Sequence, residues 1–259
     1  MHDFHFDDDH DMGPVVVLLH GFMGSLHDWS DLRKRLRPRY RTIAIDLPGH
    51  GQTPLTAEFE FNDFCLGLVE WLRSSGLQDV HLIGYSMGAR IALGMTLSDS
   101  DCMASLVLEG CNPGLESDAD RKARHIQEST WATALNDDKE KFLTEWGDGP
   151  LFRRQRQRNR EAAAALRLRR KKSDPQGWTA AQNSLGLVRQ PNFWSELPSL
   201  NLPVLLVTGA EDIKYGQLAE RMVNRLPQAS HRSISESGHC VHLEQPDAFY
   251  RTVCRFMAA

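Results

Sequence analysis

Short apolar runs bounded by turn residues recur along the chain and alternate with helical patterns. The runs lie at residues 15–19, 42–45, 80–83, 105–108 and 204–208, with a weaker one at 231–234. Helical spacing of apolar positions occurs at residues 26–36, 61–72, 89–97, 218–226 and 248–257. Because the runs are continuously apolar, they are typical of strands covered on both faces, and the alternation predicts a mostly parallel sheet. Residues 1–6 are predicted to add an antiparallel edge strand.

The alternation stops after Glu109 and resumes near Pro203. The segment between them is helical in pattern, polar and highly charged, and it is too long for a loop. We therefore predict an α/β protein whose core is formed by residues 1–112 and 197–259, with residues 113–196 inserted as a helical cap.

The predicted cap contains a strongly basic stretch. Its cations are Arg153, Arg154, Arg156, Arg158, Arg160, Arg167, Arg169, Arg170, Lys171 and Lys172. Nucleic-acid binding is one interpretation, but aromatic residues are not interleaved, and the alanines at 162–165 are typical of a solvated helix. We expect no nucleic-acid partner.

Composition narrows the functional classes. The 259 residues carry a net charge of −4, the mean hydropathy is −0.43, and no apolar run approaches the length of a membrane span. The acidic start of the chain differs from a secretory leader, and the five cysteines are scattered without a C-x-x-C pair. These features predict a cytoplasmic protein that does not insert into membranes.

The most informative motif is Gly84-Tyr85-Ser86-Met87-Gly88, which reads G-x-S-x-G. It follows an apolar run and precedes a helical pattern, as a nucleophile elbow requires. The small flanking residues allow the chain to turn sharply, so that the hydroxyl of Ser86 is exposed at the carboxyl end of a strand. Ser86 is the predicted catalytic serine.

A serine hydroxyl requires a histidine base and an acid that orients the imidazole. Asp212 follows the run at 204–208, and His239 follows the run at 231–234. The chain order Ser, Asp, His is that of α/β-hydrolases. Glu211 is the competing acid and His242 the competing base, and placement within the loops favours Asp212 and His239.

An oxyanion hole needs backbone N–H groups aimed at one oxygen. The segment His20-Gly21-Phe22 follows the first strong strand, and Met87 begins the helix after Ser86. We predict that the amides of Phe22 and Met87 are the donors, and that the side chain of His20 is structural. Residues 46–51 form a turn with a predicted scaffold role.

Several motifs together resemble the 2-succinyl-6-hydroxy-2,4-cyclohexadiene-1-carboxylate synthase family of the α/β-hydrolase superfamily. They are HGFMG at residues 20–24, Trp29, DLPGHG at 46–51, GYSMGAR at 84–90, EGCNPGL at 109–115 and GHCVH at 238–242. The resemblance covers nearly the whole chain. It implies a lyase of menaquinone or phylloquinone biosynthesis that eliminates pyruvate, with no metal or organic cofactor. Its implied substrate is a small tricarboxylate.

The resemblance also implies residues that bind this substrate. Arg90 lies one helical turn beyond Ser86, and Arg124 and Arg170 match carboxylate-binding arginines of the family, with Arg169 as an alternative to Arg170. Tyr85 and Trp146 match pocket residues. The alternative function is a serine hydrolase of esters, thioesters or vinylogous-diketone C–C bonds, which uses the same triad. We expect a monomer or a weak homo-oligomer.

Overall fold

A seven-stranded sheet forms the centre of the molecule in the computed structural model, which describes residues 4–55, 57–153 and 155–258. The strands are β1 (Phe6–Asp8), β2 (Val15–Leu19), β3 (Arg41–Ile45), β4 (Val80–Tyr85), β5 (Met103–Glu109), β6 (Val204–Gly209) and β7 (Ala229–Ile234). Their order across the sheet is β1-β3-β2-β4-β5-β6-β7. Only β1 pairs antiparallel, so the sheet is mostly parallel, as predicted.

Helices flank the sheet and fill the connection between β5 and β6. They are α1 (Ser30–Leu36), α2 (Phe61–Ser74), α3 (Met87–Ser98), α4 (Asp118–Asp137), α5 (Lys139–Asp148), α6 (Gln155–Arg158), α7 (Arg160–Lys172), α8 (Pro175–Leu185), α9 (Ile213–Val223), α10 (Val241–Glu244) and α11 (Pro246–Met257). Helices α4 to α8 all belong to the insertion. Its boundaries at 113 and 196 stay a prediction.

The sheet is buried on both faces because alternate side chains of its central strands enter two different apolar layers. Val17 and Leu19 of β2 pack in the layer that contains the α2 residues Phe61 and Phe64. Val16 and Leu18 of the same strand pack in the layer that contains residues of α1 and α11. This two-sided burial explains the continuous apolar runs in the sequence.

The predicted edge strand is displaced along the chain. Residues 1–3 lie outside the described residues, and β1 begins at Phe6 rather than ending there. Its aspartates are held by cations of the core: Arg33 donates to Asp7 at 2.6 Å, and Arg41 donates to Asp8. Charge pairing at the sheet edge therefore places a polar segment in the strand.

Two predicted helices also differ from the structure. Residues 26–36 divide into a 3-10 helix at Leu26–Trp29 and α1. The helix predicted at 218–226 instead begins at Ile213, because the carboxylate of Asp212 accepts a hydrogen bond from the amide of Tyr215 and caps its first turn.

Three cations of the basic stretch pair with acidic residues. Arg158 pairs with Glu211, Arg169 with Asp28, and Lys171 with Glu140. Arg154 and the side chain of Arg156 lie outside the described residues. Within the described part of the chain, no helix is both long and apolar enough to cross a membrane.

Candidate active site

Ser86 lies in the sharp turn between β4 and α3. Its backbone has φ 52° and ψ −106°, a conformation that L-residues rarely adopt and that is characteristic of a nucleophile elbow. The neighbouring glycines are required sterically. A methyl group on Gly84 would lie 2.4 Å from the carbonyl oxygen of Gly88, and one on Gly88 would lie 2.1 Å from that of Leu19.

The structure brings Ser86, His239 and Asp212 into one hydrogen-bonded chain. Nε2 of His239 lies 3.0 Å from Oγ of Ser86, and its Nδ1 lies 2.6 Å from Oδ2 of Asp212. His239 is 2% exposed and Asp212 is 6% exposed, so the hydrogen bond between them is shielded from water, whereas Ser86 is half-buried. The competing residues have other partners: Glu211 pairs with Arg158, and His242 pairs with Glu109.

The predicted oxyanion donors have no acceptor in the described part of the chain, since neither the Phe22 nor the Met87 amide donates a hydrogen bond there. Two buried histidines hold the loop that carries Phe22. Nε2 of His20 accepts from the amide of Leu47, and Nε2 of His50 accepts from the amide of Met23.

Both histidines are neutral, as their accepting Nε2 atoms require. Burial lowers the pKa of His20, and burial with the nearby His20 lowers the pKa of His50 to about 3. Each Nδ1 donates to a main-chain carbonyl, of Gly21 and Pro48 respectively. His20 therefore has the structural position predicted for it.

A cavity of about 80 Å³ lies above Ser86, between the core and the inserted helices. It is lined by Phe22, Ser86, Met87, Arg90, Gly110, Arg124, Glu128, Trp131, Trp146, Leu151, Phe152, Gln182, Leu185, Gly186, Leu187, Tyr215 and His239. Three of the five residues that the family resemblance implies for substrate binding are therefore in this cavity: Arg90, Arg124 and Trp146.

Arg90 is buried at 8% exposure, and no carboxylate among the described residues forms an ion pair with it. Its two terminal nitrogens donate to Oε1 of Gln190 and to the carbonyl of Leu185. Burial, together with the nearby Arg124, lowers the pKa of Arg90 to about 10, so it remains a cation at neutral pH. A buried cation without a counter-ion favours an anionic ligand.

The other two cavity residues are Arg124, which contributes a positive charge, and Trp146, which contributes a hydrogen-bond donor that is unpaired among the described residues. Nε of Arg124 donates to Glu128 at 2.7 Å, and its guanidinium lies over the ring of Trp131. Nε1 of Trp146 is buried without a hydrogen-bond partner, as is Oε1 of Gln182 in the same cavity. Such groups are costly unless a ligand or water satisfies them.

Tyr85 and Arg170 are not in the lining of this cavity. Tyr85 packs beneath the site, with its ring centroid 5.4 Å from that of His239. Nε of Arg170 donates to the carbonyl of Met23, and the residue lines a neighbouring cavity of about 360 Å³ between α5 and α7. The alternative residue, Arg169, pairs with Asp28 at 2.7 Å and is outside both linings.

Sequence reasoning missed the polar cavity residues Glu128, Gln182 and Tyr215. Glu128 lies one helical turn beyond Arg124 on α4, and the i,i+4 spacing of opposite charges is a signal that could have found it. Tyr215 lies in the first turn of α9, three residues after Asp212, and its ring centroid is 4.4 Å from that of His239.

Comparisons with known proteins agree with this geometry. The model of the alpha/beta hydrolase family matches residues 16–252. A Yersinia enterocolitica 2-succinyl-6-hydroxy-2,4-cyclohexadiene-1-carboxylate synthase is 32% identical over 95% of this chain and 87% of its own length. A Bacillus subtilis (strain 168) protein provisionally given the same name is 32% identical over 96% of this chain and 93% of its own.

Among solved structures, MenH from S. aureus superimposes with a TM-score of 0.92 at 29% identity, covering 100% of this chain and 98% of that chain. The predicted α/β-hydrolase fold with an inserted helical cap is thereby confirmed. The chain belongs to the alpha/beta hydrolase family and, within it, to the family of 2-succinyl-6-hydroxy-2,4-cyclohexadiene-1-carboxylate synthases.

Proposed function

We propose that this protein is a carbon–oxygen lyase of quinone biosynthesis. It eliminates pyruvate from 2-succinyl-5-enolpyruvyl-6-hydroxy-3-cyclohexene-1-carboxylate and forms 2-succinyl-6-hydroxy-2,4-cyclohexadiene-1-carboxylate. Family membership supports the reaction. The observation that carries the assignment to this site is the buried Arg90, which has no ion pair among the described residues and lines the same cavity as Ser86 and His239.

The proposed reaction begins with proton transfer. Nε2 of His239 takes the proton of Ser86, and Asp212 holds the imidazole in the required tautomer. The serine oxygen then removes the ring proton next to the succinyl ketone. The electron pair of that C–H bond shifts through the ring double bond to form the conjugated diene, and the bond between the ring and the enolpyruvyl oxygen breaks.

Negative charge develops on two oxygens during this elimination, the succinyl ketone oxygen and the departing enolpyruvate oxygen. Negative charge on the succinyl ketone oxygen is stabilised by the amides of Phe22 and Met87, both free to donate. The departing enolpyruvate oxygen takes a proton from the protonated His239, and the enol then converts to pyruvate. Protons and electrons therefore balance without a metal or an organic cofactor.

The substrate carries three carboxylates, which need fixed cations in a site shielded from water. Arg90 is the strongest candidate for one of them, because it is already buried and forms no ion pair with a carboxylate in the described part of the chain. Arg124 shares its charge with Glu128, and the free Nε1 of Trp146 adds a neutral donor. Arg170 would reach the substrate only if α7 is repositioned, whereas Tyr85 lies on β4 in the core. Both stay predictions.

Replacement of Ser86 or His239 by alanine is expected to reduce the rate of pyruvate release by several orders of magnitude, because the triad acts as a unit. The assay would couple released pyruvate to lactate dehydrogenase and follow the diene by absorbance. Ser74→Ala, at the exposed end of α2, is the control variant with unchanged turnover.

Full activity in either active-site variant would end the proposal. Rapid hydrolysis of simple esters or thioesters by the wild type, with no pyruvate release from the tricarboxylate, would instead support the serine hydrolase, which uses the same triad.

We also propose that the protein acts in the cytoplasm on a small-molecule substrate, as a monomer or weak homo-oligomer, without a nucleic-acid partner. All five cysteines are free thiols, which supports a reducing compartment. The pairing of Arg158, Arg169 and Lys171 with acidic residues supports a structural role for the basic stretch.

A further inference from the structure

Glu109, the last residue of β5, contacts both halves of the candidate active site. Its main-chain carbonyl accepts a 2.8 Å hydrogen bond from the amide of Ser86. Its side chain binds the segment that carries His239: Oε1 accepts from the amide of His242 at 3.1 Å, and Oε2 lies 2.7 Å from Nδ1 of His242. One residue thus links the turn of the serine to the segment of the base.

This contact is fully enclosed. Glu109 is 0% exposed and His242 is 5% exposed. The ring of His242 stacks on Trp29 with 4.3 Å between centroids and makes a T-shaped contact with Tyr85 at 4.9 Å. Although burial opposes it, Cys240 and Glu109 raise the pKa of His242 well above its ordinary value, so that Nδ1 of the imidazolium donates to Oε2 of Glu109.

A metal site does not fit this cluster, although Glu109, Cys240 and His242 lie within ligand distance of one another. Nδ1 of His242 is already engaged by Glu109. Sγ of Cys240 lies at the same distance, 3.8 Å, from both ring nitrogens, so it is aligned with the in-plane lone pair of neither nitrogen.

A contribution to stability is also a weak explanation for the buried pair of Glu109 and His242. Removing two charges from water costs several kcal/mol for each ion, and apolar replacement of a buried ion pair is often neutral or stabilising. The pair does have a geometric effect, because it fixes the backbone at His242, only three residues after His239. On the other side, a methyl group on Gly110 would lie 2.7 Å from Cε1 of His239, so the chain after Glu109 also packs directly against the catalytic ring.

We propose that Glu109 and His242 form a brace that positions His239 against Ser86. The inference rests on the proposed catalytic role of the triad and adds two positioning residues that do not touch the reacting atoms. Proton transfer from Ser86 requires the 3.0 Å separation from Nε2 of His239, and a displacement of about 1 Å can reduce a rate about 100-fold.

The test compares three variants of the full-length protein. Glu109→Leu combined with His242→Phe removes the brace without leaving a buried unpaired charge, so the double variant is expected to fold. Glu109→Gln keeps the brace in neutral form, because its amide oxygen accepts from the amide of His242 and its NH₂ group donates to Nδ1 of a neutral imidazole. Glu109→Ala removes the contact outright.

For the double variant we expect kcat for pyruvate release to fall about 100-fold, with KM within about 3-fold of wild type and an unchanged thermal unfolding temperature. Glu109→Gln should restore kcat to within about 10-fold of wild type, although Glu109→Ala does not. The crystal structure of the double variant should show Ser86 and His239 beyond hydrogen-bond distance.

A folded double variant that keeps the Ser86–His239 hydrogen bond and the wild-type kcat would overturn the brace. The crystallographic distance decides this point even if the wild type releases no pyruvate, which would count against the proposed function instead. Equal losses of kcat in Glu109→Gln and Glu109→Ala would likewise contradict positioning by these two hydrogen bonds.

Discussion

At the scale of single residues, Arg90 distinguishes this site most clearly from a general acyl pocket. Among the described residues, its buried guanidinium binds an amide oxygen and a carbonyl and forms no ion pair, so its charge is available to a ligand. Arg90→Met should reduce kcat/KM by the equivalent of about 2 to 5 kcal/mol, the usual cost of leaving one partner of a buried charged pair unmatched. Steady-state kinetics of pyruvate release would measure it.

Arg169→Met is the matched control, because Arg169 pairs with Asp28 outside the cavity. We expect its kcat/KM to stay within about 3-fold of wild type, as is usual for a partly exposed ion pair. If Arg90→Met also stayed within this range, with its fold intact, Arg90 would not be a ligand of the substrate.

The hydrogen-bonded arrangement of Ser86, His239 and Asp212 could be predicted from sequence because each residue lies in a loop that follows a strand. Ser86, Asp212 and His239 occupy loops at the carboxyl edge of one sheet, so the order of strands brings them together. Arg170 has no such constraint. Its position depends on how α7 packs over the core, where its Nε meets the carbonyl of Met23, and no local pattern encodes that contact.

The contact between Glu109 and His242 could not be predicted from sequence either. Both residues lie in motifs of the sequence, and His242 is the alternative base there. Their hydrogen bond joins positions 133 residues apart, so it could not be read from spacing. The available signal was a single carboxylate at the end of a strand that the apolar pattern predicts to be fully buried.

At the scale of elements, the turn between β4 and α3 depends on close backbone contact. Gly88→Ala should strongly reduce activity and lower the unfolding temperature, because its Cβ would lie 2.1 Å from the carbonyl oxygen of Leu19 on the neighbouring strand. Circular dichroism melts and pyruvate release would measure the two effects.

Gly67→Ala in α2 is the control for this prediction, since a Cβ there meets no atom within 4 Å. Alanine favours a helix over glycine, so this variant should be more stable than wild type by about 0.5 to 1 kcal/mol with unchanged activity. A Gly88→Ala variant that behaved like Gly67→Ala would contradict the steric role of Gly88.

Continuously apolar strands were easier to predict than the ends of helices. β2 was predicted at its observed bounds, because its five residues are apolar and both faces are covered. The start of α9 was missed because it is set by the carboxylate of Asp212, which caps the helix with one oxygen and binds His239 with the other. Hydrophobic spacing carries no information about such a cap.

At the scale of the whole molecule, the cavity is formed jointly by the core and the inserted helices. At about 80 Å³ it is smaller than the 300 to 1,000 Å³ typical of ligand pockets. We therefore expect the cap to move away from the core when the tricarboxylate enters. The aromatic contact of Phe152 with His239, 5.9 Å between centroids, is one that such a movement would change.

The free energy of unfolding should decrease at acidic pH because of His50, a histidine that the proposed reaction does not use. His50 has a pKa of about 3 in the folded protein, against about 6.5 when unfolded. Between these values the unfolded chain binds a proton at this position and the folded chain does not. The contribution to the free energy of unfolding therefore falls by about 1.4 kcal/mol for each pH unit below 6.5.

His50→Gln removes this titration while its amide oxygen can still accept from the amide of Met23. Urea unfolding followed by tryptophan fluorescence at pH 4, 5 and 6 should give a slope of stability against pH that is smaller in the variant than in the wild type by about 1.4 kcal/mol per unit. Parallel slopes in the two proteins would mean that His50 is protonated in the folded state, and that the loop carrying Phe22 is held in some other way.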